Sequence, residues 1–356
     1  MAIPESRSVA VPPPAERPAR GRRSRGPSIA DVARLAGVSV GTVSHALNKP
    51  AVVAPATLAR VEGAVEELGY VRNRAARDLV AGDSRTVGMV LVALDNSFIV
   101  DIARGAEEAV RAQGRSLLLA NADVDLPTQD HYLSLFDESR VAGVLLAPLD
   151  APLDGAVRVR GHGRPVVLVN YAAEGFCGVL VDEERGGYLA TQHLLDLGRR
   201  RLAFVGGPLT LSAVAGRLRG ARRAAQEAGV EVEHLPTRSL QPGEGRRVAA
   251  EVAARPGGER PDGLVIAADS LAVACVQALT TVHDVAVPGD VAVTGYDDNH
   301  FVSDAPVPLT TVRQPGQEMG RRAAELLARE VEEGDEHVHT TVVVVPELLV
   351  RASSSG

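Results

Sequence analysis

The chain has 356 residues, of which 45% are hydrophobic but only 3% aromatic, with no Trp; this length calls for more than one compact core, packed mainly by Val, Ala and Leu. No apolar run approaches the ~18 residues of a membrane span, residues 1–27 read as a Pro-, Arg- and Ala-rich disordered basic arm instead of a signal peptide, and the expected compartment is the cytoplasm. Cys177 and Cys275 lack close spacing, which argues against a metal site and against a disulfide scaffold. The net charge of −7 is unevenly placed: residues 1–85 hold 13 Lys/Arg against 8 Asp/Glu, leaving 25 against 37 for the rest. A basic head on an acidic body suits a DNA-reading module joined to a soluble sensor.

In chain order, Ser28 to Asn48 (SIADVARLAGVSVGTVSHALN) encodes two short helices and a tight turn. Ser28 with Asp31 has capping-box spacing, and Ile29, Val32, Ala33 and Ala36 offer one small apolar face. Gly37 permits the sharp turn, and Ser39 caps a second helix that turns Val43 and Leu47 inward. This is the pattern of a helix-turn-helix, whose second helix enters a DNA major groove; an ordinary αα-hairpin is the competing reading. Pro55 opens a third helix ending at Leu68, with Gly69 as its stop. A helical stretch over 73–80 follows, too short to be stable alone in water.

From Thr86 the texture changes. TVGMVLVAL is a continuous apolar run of the kind buried on both faces of a parallel sheet. Helices and strands then alternate through SLLLAN, VAGVLLAP, PVVLVNY, GVLVDEE, RLAFVGG, GLVIAAD and VAVTGYDD. Such alternation predicts a doubly wound parallel α/β architecture with enough units for two lobes. Ligands bind beyond the carboxyl ends of such strands, which draws attention to Asn121, Asn170, Asp269 and Asp297.

The ordered set IADVARLAGVSVGTVSHALN, RVEGAVEELGYVRNRAARDL, VDEERGGYLATQHLLDLGRRRLAFVGGP, GRLRGARRA, VPGDVAVTGYDD and PLTTVRQPGQEMGRRAAELL resembles the LacI/GalR family of bacterial transcription regulators over Ser28 to Arg351. The resemblance implies a helix-turn-helix DNA-binding domain (28–72), a hinge helix and linker (73–84), and an effector-binding and dimerisation domain (85–351) of periplasmic-binding-protein-like type I fold, followed by a tail (352–356). By analogy one lobe takes about 85–181 and 313–337, the other about 182–312 and 338–351. It implies a homodimer on a palindromic double-stranded operator, with DNA affinity set by a small effector between the lobes.

On the recognition helix, Val40, Gly41 and His45 fall where the family reads bases, while Ser39, Thr42 and Asn48 suit phosphates or local caps; Thr57 joins the DNA-contact set by the same resemblance. In the hinge, the resemblance makes Leu79 a wedge between base steps, with Ala76 against the minor groove and Asn73 near a phosphate. Gly41 departs from the larger polar residues common at its position. In the sensor, Asp297 can accept two hydroxyl hydrogen bonds and Arg217 offers a multi-donor fork. Asn170, Tyr171, Asp269 and Phe98 complete the candidate effector set. Leu211 and Ala213 stand where purine-responsive relatives carry polar residues, which favours a carbohydrate effector. No catalytic or metal site and no cofactor is expected: there is no phosphate-binding Gly-rich loop with Lys, and His337 and His339 alternate in a polar connection where solvation is the expectation.

Overall fold

Three helices build the head: α1 (Ile29–Ala36), α2 (Val40–Asn48) and α3 (Pro55–Leu68). Ser28 caps α1 with the reciprocal Asp31 bonds that its sequence predicts, and Gly37 ends it at φ 62°, a left-handed conformation that turns the chain toward α2. Val32, Ala33, Ala36, Val43, Ala46, Val61 and Ala64 are buried between the helices. Four of these seven are alanines, which lets the three backbones pack closely around a small core.

This computed structural model describes residues 27–70, 84–92, 94–149 and 153–355. The chain divides into two units, Met1–Gly82 and Asp83–Gly356. Most of the expected basic arm and the hinge segment 73–80, with Asn73, Ala76 and Leu79, lie outside the described residues.

The second unit contains two six-stranded sheets. The first runs in the order β11-β5-β4-β3-β1-β2, from strands β1 (Thr86–Leu91), β2 (Ser116–Asn121), β3 (Val144–Leu146), β4 (Val166–Val169), β5 (Cys177–Val181) and β11 (Thr341–Val344), all parallel. The second runs β12-β10-β9-β8-β6-β7, from β6 (Leu202–Gly206), β7 (Val232–Pro236), β8 (Gly263–Ile266), β9 (Ala292–Asp297), β10 (Thr310–Arg313) and β12 (Glu347–Leu349), where only the β10–β12 pairing is antiparallel. The chain crosses between the sheets after β5, after β10 and after β11. The last crossing corrects the sequence-based lobe limits: β11 pairs with β5, Thr341 opposite Gly178, so residues up to 344 belong with the first lobe although 338–351 had been expected in the second.

Helices cover both sheets: α4 (Ser97–Ala112), α5 (Leu126–Glu138), α6 (Asp154–Gly161) and α11 (Gly316–Glu333) on the first, α7 (Glu183–Asp196), α8 (Ser212–Glu227), α9 (Pro242–Ala253) and α10 (Asp269–Thr281) on the second. Each lobe contains a helix pair held tightly apposed by glycines on both helices. A Cβ at Gly105 or Gly320 would run into the backbone carbonyl of Gln317 or Ile102 across the α4–α11 contact. At Gly187 and Gly220 the obstacle is the carbonyl of Arg217 or Glu184 across the α7–α8 contact. In both lobes backbone lies against backbone, an approach that any larger residue would prevent.

Candidate nucleic-acid interface and inter-lobe cleft

In the head, Ser39 caps α2: its hydroxyl accepts from Thr42 N at 3.1 Å and meets Thr42 Oγ1 at 2.9 Å. Val43 and Ala46 turn into the core, leaving Val40, Gly41, His45 and Asn48 exposed along the opposite face. Asn48 Nδ2 donates to Ser44 Oγ at 3.3 Å. A Cβ on Gly41 would meet only Ser39 Oγ, so its small size leaves open surface at the start of the helix. Thr57 is half-buried on the first turn of α3. The structure therefore gathers the proposed base-reading side chains onto one solvent-facing stripe, while Ser39 and Thr42 serve each other.

In the sensor unit, Arg217 and Asp297 come together at the junction of the lobes. Arg217, on α8, is buried; its Nε donates to Glu183 Oε2 at 2.8 Å, Nη2 to Glu183 Oε1 at 3.1 Å, and Nη1 to the Ala267 carbonyl at 2.6 Å. Its guanidinium lies 3.6 Å from the centre of the Tyr296 ring. The sequence Glu183-Glu184-Arg185-Gly186-Gly187 explains the seat. Glu183 grips the guanidinium, Gly186 leaves room for the Tyr296 phenol, and Gly187 admits the Arg217 backbone. Burial alone would pull the Arg217 pKa down, but Glu183, Tyr296 and Asp297 together carry it above the usual arginine value.

Asp297 ends β9 with φ 109°, and Asp298 follows at 53°; Asn170, after β4, stands at 57°. Side chains rarely adopt this backbone region, and such strain concentrates at functional sites. One Asp297 oxygen accepts from Gln314 Nε2 at 2.6 Å and lies 3.8 Å from Arg217 Nη2. The other accepts from Asn96 Nδ2 at 3.1 Å, a hydrogen bond from the first lobe to the second. Burial raises the Asp297 carboxyl pKa against the opposing pull of Arg217, Asn96 and Gln314. Gln314 Oε1 is buried without a hydrogen-bond partner among the described residues, so a polar acceptor beside the carboxylate is left unsatisfied.

Asn96, Ser97, Asn299 and Gln314 were not singled out as site residues from sequence. Asn96 Oδ1 accepts from Phe98 N at 3.0 Å, capping α4, while its amide reaches Asp297. Ser97 donates through N and Oγ to Asn299 Oδ1 at 3.0 and 2.8 Å, and His300 N donates back to Ser97 Oγ at 3.0 Å. The Asp-Asn-Ser run at the end of an apolar strand is the signal that would have found this clamp, because it places a cap at a strand's carboxyl end.

Three residues of the expected effector set have partners within their own lobes in this structure. Asp269 is fully buried, and its oxygens accept from Thr311 Oγ1 at 2.7 Å and Asn299 N at 2.8 Å; it holds the Asn299 loop within its own lobe. Phe98 is buried in the first-lobe core with Met89, Leu91 and Met319. Tyr171 packs toward the cluster of Leu146, Leu168 and Phe176. Asn170 does line a cavity, of about 360 Å³, together with Val181, Glu183, Ser212, Ala213 and Arg219 from both lobes. Glu183, which lines this cavity, is also the carboxylate that grips Arg217. His337 and His339, expected in solvent, are corrected: the His337 side chain is only 5% exposed, and both rings approach Cys177.

Comparison with known proteins agrees with this architecture. Residues 28–73 match the family of bacterial regulatory proteins, lacI family, and residues 191–354 match the periplasmic binding protein-like domain. The HTH-type transcriptional repressor PurR of Aliivibrio fischeri is 32% identical over 334 residues, covering 92% of this chain and 98% of that protein. The ribose operon repressor of Escherichia coli K12 is 35% identical over 306 residues, covering 85% and 92%. A solved complex of the transcriptional regulator CelR with cellobiose aligns at TM-score 0.67 with 31% identity, covering 92% of this chain and all of that one. The exposed recognition stripe, the paired α/β lobes and these similarities along most of the sequence have one reading: the chain belongs to the LacI/GalR family of bacterial transcription regulators, which bind DNA and are not enzymes.

Proposed function

We propose that the protein is a repressor that binds a palindromic operator as a homodimer, with operator affinity set by a sugar or sugar derivative held between its two sensor lobes. The observation that carries this reading is the cross-lobe bond from Asn96 to Asp297 beside Arg217. A carboxylate shared by both lobes is a point where a hydroxylated ligand changes their relative arrangement. The ligand exchanges its hydroxyls for the Asn96 donor at Asp297, with Arg217 fixing the carboxylate from behind and Asn170 meeting the ligand from the first lobe. Similarity to the ribose operon repressor and to a regulator complexed with cellobiose supports a carbohydrate.

A ligand shifts DNA affinity only by its differential binding to the two lobe arrangements. At the DNA, Val40, Gly41 and His45 read bases, Ser39, Thr42, Asn48 and Thr57 position the head on phosphates, and Leu79 wedges into the minor groove with Ala76 and Asn73 alongside. Leu118 and Leu119, exposed on edge strand β2, support pairing of chains.

The test is selection of duplexes by the full-length protein, followed by binding at several salt concentrations. A selected palindrome bound with a steep salt slope, and a preference reduced by His45→Ala by about 1–3 kcal/mol, is the expected result. Sequence-indifferent binding that His45→Ala leaves unchanged would overturn the reading.

A further inference from the structure

At one edge of the first lobe Cys177 meets Glu330, His337 and His339, which lie close together in sequence and far along the chain from the cysteine. Each offers one ligand atom, and these atoms all lie within 4.8 Å of one another. Cys177 Sγ is 3.1 Å from His337 Nε2 and 3.8 Å from His339 Nδ1, and His339 Nδ1 is 3.9 Å from Glu330 Oε2. Metal–ligand bonds of about 2.0–2.3 Å in a tetrahedron place neighbouring ligand atoms roughly 3.3–3.6 Å apart. The observed separations bracket that range.

Local structure explains the convergence. Cys177 opens β5, Glu330 stands on the last turn of α11, and the extended connection into β11 places His337 and His339 two residues apart, on one side of the chain. The β5–β11 pairing then brings both imidazoles over the sulfur. His337 Nδ1 donates to Glu333 Oε2 at 2.6 Å, which leaves Nε2, the atom facing the sulfur, as a lone-pair donor. This carboxylate–imidazole arrangement is the usual orienting device behind a metal-bound histidine. Glu330 is buried, and its Oε2, facing His339, has no hydrogen-bond partner among the described residues. A buried carboxylate oxygen without a donor is costly unless a cation or proton reaches it.

We propose that these four side chains bind one zinc ion, which clips the end of α11 and the start of β11 to β5. A thiolate with two imidazoles disfavours calcium and magnesium, and one thiolate plus one carboxylate neutralise the ion's two charges. On binding, the thiol S–H bond breaks, the sulfur–zinc bond forms and the proton passes to solvent. Arg160 Nη2 lies 2.7 Å from His339 Nε2 and must release it, because a ring bound through Nδ1 carries its proton on Nε2. Arg160 keeps the Gly175 carbonyl and the Phe176 face as partners.

The experiment uses the full-length protein, stripped with a chelator and dialysed against zinc chloride or cobalt(II) chloride. One equivalent of zinc retained per chain, a raised thermal midpoint, and a thiolate-to-cobalt charge-transfer band are expected. Cys177→Ser should remove the band, Glu333→Gln should weaken binding about 10- to 100-fold, and Cys275→Ser, at a buried thiol in the other lobe, should leave both unchanged. No retained zinc, or no charge-transfer band in the wild-type protein, would overturn the proposal without reference to any variant. Undiminished metal binding by Cys177→Ser would overturn it equally.

Discussion

Asn96 Nδ2 of the first lobe donates to Asp297 Oδ2 of the second at 3.1 Å, while Asn96 Oδ1 caps the helix that begins beside it. One side chain thus secures a helix start and a lobe-to-lobe contact. A hydrogen bond to a charged group contributes about 1.5–3 kcal/mol. Asn96→Asp keeps a capping oxygen but removes the donor, and is predicted to shift the sugar-free protein toward a more open arrangement. A larger radius of gyration in small-angle scattering is the expected readout.

The Asp297 carboxyl, raised by burial to about 6, gives a pH dependence with a definite sign. Its folded-state pKa exceeds the ordinary 3.8, so the stability it contributes is present below 3.8 and is lost as pH rises through about 6. Sugar binding goes the other way, since only the ionised form accepts two hydroxyls. Effector affinity measured by calorimetry is predicted to increase between pH 5 and pH 7 by about tenfold, and to level off above.

Glu183 meets Arg217 with both oxygens in a buried pair, and the guanidinium also lies over Tyr296. Glu183→Gln removes the carboxylate that meets the guanidinium with both oxygens and leaves only Asp297, 3.8 Å away, to balance its charge. Removing one partner of such a pair costs about 3–5 kcal/mol. A drop of that size in unfolding free energy is expected from denaturant titration of the sensor transition, without any change in the head.

Glycines in the two units are predicted to respond in opposite directions. At Gly220 a methyl group would press on the Glu184 carbonyl and the Tyr188 amide, so Gly220→Ala should destabilise the sensor by about 1–3 kcal/mol or more. Gly63, inside α3, has open space around it, and Gly63→Ala should stabilise the head by about 1 kcal/mol. Separate thermal transitions for the two units provide the check.

Much of the architecture is legible because its signals are local. Ser28, Gly37, Pro55 and Gly69 mark helix ends by caps and backbone freedom, and continuous apolar runs mark the central strands. Asp297 and Arg217 are legible from strand-end position and donor chemistry. What escapes is set by pairing between distant segments. β11 alternates in burial and contains only four residues, so nothing local assigns it to one sheet or the other. That same pairing turns two histidines in a polar connection into partners of Cys177. Asp269 looks like a strand-end ligand group until Thr311 and Asn299 take its oxygens from across the fold. The glycines of the two helix pairs carry no local signature, because their role lies in the opposing backbone.

The most direct measurement is operator affinity of the full-length protein, by fluorescence anisotropy on a selected palindrome, with and without each of a panel of pentoses, hexoses and disaccharides. At least one sugar is predicted to change the affinity by about 5- to 150-fold, the usual span of allosteric coupling. Asp297→Asn should abolish that change while keeping sugar-free operator binding. An affinity indifferent to every sugar offered, or a sugar response intact in Asp297→Asn, would contradict the account.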